Sequence, residues 1–125
     1  MANTIDVLGD NAVTDSIVER NITEIVDDVV TLIGDYAFYG CTALTTADFP
    51  VATSIGSSAF QSCSNLTTLI LRNTQKVVTL SSTTAFTGAT NCIIYVPDDL
   101  VDDYKAASNW STYADRIKGL SELPA

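Results

Sequence analysis

The feature that most constrains this chain is an internal repeat. Residues 33–46 and 55–68 are two copies of one unit: Ile33/Ile55, Gly34/Gly56, Ala37/Ala59, Phe38/Phe60, Cys41/Cys63, Leu44/Leu66 and the pairs Thr45-Thr46 and Thr67-Thr68 all recur after 22 residues. Self-similarity at a period of about 20–29 residues marks a stacked-turn solenoid. A unit this short cannot bury its apolar face alone, so each turn must be closed by the turns beside it.

The register extends both ways. Ile22-Thr23-Glu24-Ile25 falls where Leu44-Thr45-Thr46-Ala47 lies, so a degenerate turn begins near residue 22. Downstream, Val77-Val78-Thr79-Leu80 with Ala85-Phe86 matches Val29-Val30-Thr31-Leu32 with Ala37-Phe38 at a separation of 48, one repeat of 22 and one of 26. The four extra residues are expected between Leu71 and Val77, around Arg72-Asn73-Thr74-Gln75-Lys76, in a surface loop. Ile94-Tyr95-Val96-Pro97 then matches the strand ending at Pro50 with one residue lost, and the array stops.

Within a turn, Leu44, Ala47 and Phe49, like Leu66, Leu69 and Leu71, are expected to point into the stack from a short strand. The threonines suit strand surfaces, where stacked like charges would repel. Gly34 and Gly56 mark positive φ or close backbone approach. Ala37-Phe38 and Ala59-Phe60 should form a tight helical turn that places the ring in the core.

These residues resemble the BspA-like leucine-rich repeat family, whose units carry an IG-x-x-AF-x-x-C-x-x-L core, over roughly residues 22–97. Two departures are Asp27, where Phe49 and Leu71 stand, and Ser81-Ser82 in place of the last Ile-Gly. The resemblance implies a mainly β leucine-rich-repeat-type solenoid with stacked ~22-residue turns. It implies a recognition or scaffolding module and carries over no catalytic residue. Similar chains often end in a VP…L…Y…W helical segment, and compact units of this kind resemble repeat proteins among phage and prophage tail genes of gut bacteria.

The single domain, 1–125, then divides into an arm and cap (1–21), the solenoid (22–97), C-terminal cap helices (98–120) and a loose tail (121–125). The role of residues 1–9 is left open, a linker or attachment arm being one reading. Asp10 is expected to start a short helical cap with Val13 and Ile17 on one face. At the other end Pro97-Asp98 starts a helix with Leu100, Val101, Tyr104 and Ala107 on one face. A second helix is expected to carry Trp110, Tyr113, Ile117 and Leu120, closed near Gly119.

Composition bears on chemistry. With six Lys or Arg, fifteen Asp or Glu, no His and a net charge of −9, the chain should repel phosphate backbones, which argues against nucleic-acid binding. No apolar run is long enough to span a bilayer and no export signal is visible, so a virion or cytoplasmic setting is expected over export. Cys41, Cys63 and Cys92 fit no zinc-site spacing and read as a column of small buried thiols, with a disulfide between adjacent turns as the alternative. Asn21, Asn65 and Asn109 begin glycosylation-type triplets, two of them within the repeat's own Leu-Thr pattern. Asp98, Asp99, Asp102 and Asp103 match a helix's first turn rather than a calcium loop, and Asp27, Asp28, Asp35 and Asp48 read as a solvated acidic surface.

No catalytic, cofactor or metal residues are assigned. A nucleophile has no His as base, and Lys76, Lys105 and Lys118 lack an apolar setting. The expected function is a non-enzymatic module for protein or glycan recognition or scaffolding, in a phage or prophage tail or virion. A fragment of a cell-surface adhesin is the alternative, and a carbohydrate-active enzyme the remote one. The candidate interaction loop is Arg72, Asn73, Thr74, Gln75 and Lys76, which gathers two of the six basic groups for an acidic partner. Monomer and homo-oligomer are both open.

Overall fold

The structure is a computed structural model that describes residues 4–5, 12–13, 23–26 and 31–123, with backbone alone for the first two pairs. Its strands are β1 (Thr4–Ile5), β2 (Ala12–Val13), β3 (Glu24–Val26), β4 (Leu32–Ile33), β5 (Thr46–Phe49), β6 (Ser54–Ile55), β7 (Thr68–Leu71), β8 (Thr79–Leu80), β9 (Ile93–Val96) and β10 (Ile117–Gly119). Two sheets result: a six-stranded one ordered β1-β3-β5-β7-β9-β10 and a four-stranded one ordered β2-β4-β6-β8. Every pairing is parallel. Four successive turns, β1/β2 to β7/β8, thus lend one strand to each sheet, and β9 and β10 extend the larger sheet alone, which is the topology of a repeat solenoid.

A third ladder joins the turns where the chain is not extended. Tyr36, Phe38 and Gly40 donate their N–H groups to Ser57, Ala59 and Gln61 carbonyls at 3.0, 2.7 and 2.9 Å, and Phe60 and Ser62 donate to Ala85 and Thr87 at 2.8 and 2.7 Å. Threonine hydroxyls extend the strand ladders, Thr45 and Thr53 each donating to the carbonyl 22 residues earlier, Thr23 and Thr31, at 3.0 Å. Backbone polar groups of a buried stack must be paired, and here adjoining turns pair them.

The interior is a continuous apolar column. Leu44, Ala47, Phe49, Leu66, Leu69 and Leu71 are fully buried. Phe38, Phe60 and Phe86 stack at centroid spacings of 5.1 and 5.6 Å with interplanar angles of 6° and 1°. Gly56 lies where a Cβ would meet the Asp35 backbone nitrogen at 2.5 Å, so close approach, not positive φ, requires glycine there. Positive φ falls instead at Tyr36 and Ser58, and at Gly40, Ser62 and Gly88, equivalent positions of successive turns.

The register differs from the sequence expectation by one residue in the last turn. Thr79 and Leu80 pair with Ser54 and Ile55, which pair with Leu32 and Ile33, so Leu80 occupies the Ile33 position and not that of Leu32. The reason is burial on a period of two: Leu80 is 3% exposed, whereas Leu32 faces outward at 48%. Three of the four inserted residues therefore precede β8 and one follows it. Ser81 donates to the Ile55 carbonyl as Gly56 does to Ile33, and the added Ser82 caps a 3-10 turn, Thr83–Phe86, by accepting the Thr84 N–H at 3.2 Å. Similarly Cys92 bonds to Ala89 as Leu44 and Leu66 bond to Cys41 and Cys63, so Cys92 takes the leucine position.

Both ends depart from the expected helices. Val13 lies in strand β2 opposite Ile33, and Thr4 pairs with Glu24, so the array reaches upstream of residue 22. A short apolar stretch reads equally as helix or strand, and the edges of β3 and β4 take the strand. Ile17 and the rest of the expected N-terminal helix lie outside the described residues, as do Asp27 and Asp28. Downstream, a 3-10 turn at Asp98–Leu100 leads into α1 (Val101–Ala106), and a 3-10 segment Trp110–Arg116 follows. The expected second helix ends there: Ile117–Gly119 is β10, adding a parallel strand to β9. At Gly119 a Cβ would meet the Asp98 carboxylate, which would have to shift to admit a larger residue. The expected loose tail is tied down as far as Leu123, since Leu120–Glu122 forms a 3-10 turn and Ser121 donates to Asp98 Oδ1 at 3.1 Å.

Candidate interaction surface

Alternation along the large sheet sorts its residues into two faces. Ile25, Ala47, Leu69, Ile94 and Ile117 line the core, so the residues after them, Val26, Asp48, Ile70, Tyr95 and Lys118, form a row across the outer face. The row is uneven. Val26 is 45% exposed, while Ile70 and Tyr95, though outward, are shielded to 6 and 7%. The residues before the core row, Glu24, Thr46, Thr68 and Ile93, form a second row on this face.

The loop after β7 borders the first row. Arg72 is brought over the sheet by Asp48, whose carboxylate accepts from Nε at 3.3 Å and from Nη2 at 3.2 Å. Asn73 Oδ1 accepts the Gln75 N–H at 2.9 Å, an Asx turn that fixes the loop's bend. Pro50, Val51, Arg72, Asn73, Thr74 and Gln75 line a concavity of about 250 Å³. Thr74 also borders a larger one of about 410 Å³ with Pro97, Asp98, Asp99, Leu100 and Leu120.

The loop is thus less cationic than the sequence suggests. Arg72 is offset by Asp48, and the pair, with side chains 43% and 14% exposed, contributes on the order of 0–1 kcal/mol. Asp48 is accordingly no freely solvated carboxylate. Lys76 is exposed and has no ion pair among the described residues. Asp35 is exposed but its Oδ1 accepts the Ser57 N–H at 2.8 Å.

The other residues singled out have structural partners. All three cysteines are buried free thiols. Cys63 donates to the Phe38 carbonyl at 3.0 Å, and its hydrogen bond with the Cys41 thiol, then burial, push its pKa far up. Burial pushes Cys92 up to about 12 despite nearby Arg116. Asn65 Nδ2 donates to the Thr42 carbonyl at 2.7 Å and Asn109 Nδ2 to that of Leu80 at 2.6 Å. Asn21 lies outside the described residues. Trp110 and Tyr104 are core groups: the indole N–H donates to the Val78 carbonyl at 2.6 Å, and the phenol accepts the Val78 N–H at 3.0 Å. Among the described residues no group of three His, Cys, Asp or Glu could hold a metal ion, and no helix is long and apolar enough to cross a membrane.

Three features lie outside what the sequence reading singles out. The Arg72–Asp48 pair was legible, because the period sets Asp48 beside Ile70, two residues before Arg72 on the same face. The shielding of Ile70 and Tyr95 had no local signal. The exposed pair Tyr36 and Tyr39 was visible as the aromatic departure from Ser58 and Gln61.

No curated protein gives a significant match to this sequence. The BspA type leucine rich repeat region does match, in six copies over residues 3–102, a span that takes in strand β1 as well as the regular turns. Parallel strands recurring turn by turn and a match across most of the sequence lead to one conclusion: the chain belongs to the BspA type leucine-rich repeat family.

Proposed function

We propose that this chain is a non-enzymatic recognition module that contacts a protein or glycan through the outer face of its six-stranded sheet and the adjoining loop Arg72–Lys76. The observation that carries the reading is the loop Arg72–Lys76, which breaks the repeat beside the outer row Val26, Asp48, Ile70, Tyr95 and Lys118, a row in which Val26 is exposed and Ile70 and Tyr95 are shielded. Nothing in the core's regularity requires those residue types, whereas a partner surface uses them. Family membership supports a repeat module for recognition or adhesion. In this reading residues 98–122 close the end of the array, as the packing of Trp110 and Tyr113 on Phe86 at 6.0 and 5.2 Å supports.

The finer setting we favour is a phage or prophage tail or virion protein, with a cell-surface adhesin fragment as the alternative; it rests on the sequence resemblance and is tested by mass spectrometry of purified virions. The binding surface is tested by screening the chain against arrayed glycans and purified bacterial surface proteins, then measuring the R72A/K76A variant. Stability within about 1 kcal/mol of the parent is expected, with affinity for the identified partner at least tenfold weaker, about 1.4 kcal/mol. Unchanged affinity removes the loop from the surface.

A further inference from the structure

The turn at residues 35–40 carries two aromatic side chains where its neighbours carry small polar ones. Tyr36 and Tyr39 are 49% and 41% exposed, their rings 5.7 Å apart and inclined at 56°. The equivalent positions hold Ser58 and Gln61 in the next turn and Thr84 and Thr87 in the one after. The backbone beneath the pair is held by hydrogen bonds. Tyr39 N–H donates to the Tyr36 carbonyl at 3.1 Å, while the N–H groups of Tyr36, Phe38 and Gly40 are fixed on the following turn and Phe38, between the two tyrosines in sequence, is buried.

Tyr36 is also a poor choice for stability. Its φ is 61° and that of Ser58 is 58°, so two successive turns share the left-handed conformation at this point, whereas Thr84 in the next lies in a 3-10 turn. A residue with a Cβ is strained there, and a large one more so. Burial does not compensate, because half the ring faces solvent. A locally unfavourable residue with no packing return is the pattern expected of a functional position.

We propose that Tyr36 and Tyr39 form a binding platform for a neutral carbohydrate; this rests on the recognition reading and names a partner class for a second face. Two inclined rings on a fixed backbone offer apolar faces to the C–H side of a pyranose and hydroxyls to its rim. The two turns that follow supply uncharged hydrogen-bonding side chains at the matching positions, Gln61, Thr84 and Thr87 among them. A protein partner needs more apolar area than two isolated rings provide, and a chain of net charge −9 disfavours sulfated or uronic acid polymers.

The test is affinity electrophoresis of the full chain in native gels containing glucan, mannan or galactan, with dextran sulfate and polygalacturonate as charged probes. The decisive variant is Y36S/Y39Q, which writes the next turn's own residues into this one and so keeps the fold. Retardation by at least one neutral polysaccharide is expected, reduced about tenfold or more in Y36S/Y39Q, with the variant's Tm unchanged or higher and R72A/K76A migrating as the parent does. Retardation unaffected by Y36S/Y39Q, or absent with every neutral polysaccharide, overturns the platform. A protein partner lost in R72A/K76A, together with no retardation by any neutral polysaccharide, would leave the recognition reading standing and this platform refuted.

Discussion

Removing the ring of Phe60 should test the stack at its centre. Phe60 is fully buried and lies between Phe38 and Phe86, its centroid 5.1 Å from one and 5.6 Å from the other, nearly parallel to both. Phe60→Ala loses the transfer free energy of the ring and leaves a cavity, together about 3–5 kcal/mol. It also ends two aromatic contacts, each on the order of 0.5–1.5 kcal/mol. Neighbours are pinned to fixed backbone ladders and cannot close the gap, so the upper end, about 4–5 kcal/mol, is expected. That is a large fraction of the ~5–15 kcal/mol available to a domain. Urea unfolding by tyrosine and tryptophan fluorescence, with m held common, measures it. A double-mutant cycle with Phe86→Ala should show coupling, because the partner removed is shared. A loss below about 2 kcal/mol, or additivity within ~0.5 kcal/mol, would refute the continuous aromatic column.

The thiols make two further predictions. Cys41, Cys63 and Cys92 should react slowly with a thiol reagent in the native protein and fully after unfolding; rapid native labelling contradicts their burial. Folding raises Cys63 and Cys92 above 9.0, Cys92 to about 12. The unfolded chain therefore loses thiol protons first, and stability that is whole below pH 9 falls as pH climbs toward 12, by about 1.4 kcal/mol per pH unit for each thiol. Urea midpoints at increasing pH should show this fall, shallower in Cys92→Ala, with Tyr104 and Tyr113, whose phenols burial also raises above 10.0, adding to it at the upper end; equal slopes in parent and variant would count against it. The glycines separate two causes: Gly56→Ala drives a Cβ onto backbone atoms and should cost about 1–3 kcal/mol by overpacking. Gly40→Ala meets nothing within 4 Å, and its φ of 73° should cost roughly 1–2 kcal/mol by strain alone; thermal melts of the two, with Gly40→Ser as a further variant, check that strain and not crowding governs this position.

The architecture was legible because a solenoid writes itself into sequence. A period of 22 aligns Phe38 with Phe60 and Leu44 with Leu66, and stacking requires such alignment, so core positions follow from the repeat. Legibility failed where the repeat is broken or short. Leu80 was misplaced by one residue because identity matched it to Leu32, whereas the ladder seats it opposite Ile55 to bury it. Val13 and Ile117 carry helical spacing, yet both lie in strands, since an adjacent strand edge offers hydrogen bonds that short isolated helices do not match. The candidate loop was found from its inserted residues alone, but its charge was not, because Asp48 neutralises Arg72 from one turn away. Local sequence determined what repeats, and hence the core; which departures from the repeat face solvent, and which are answered by a neighbour 20 to 26 residues away, was decided only when the turns were stacked.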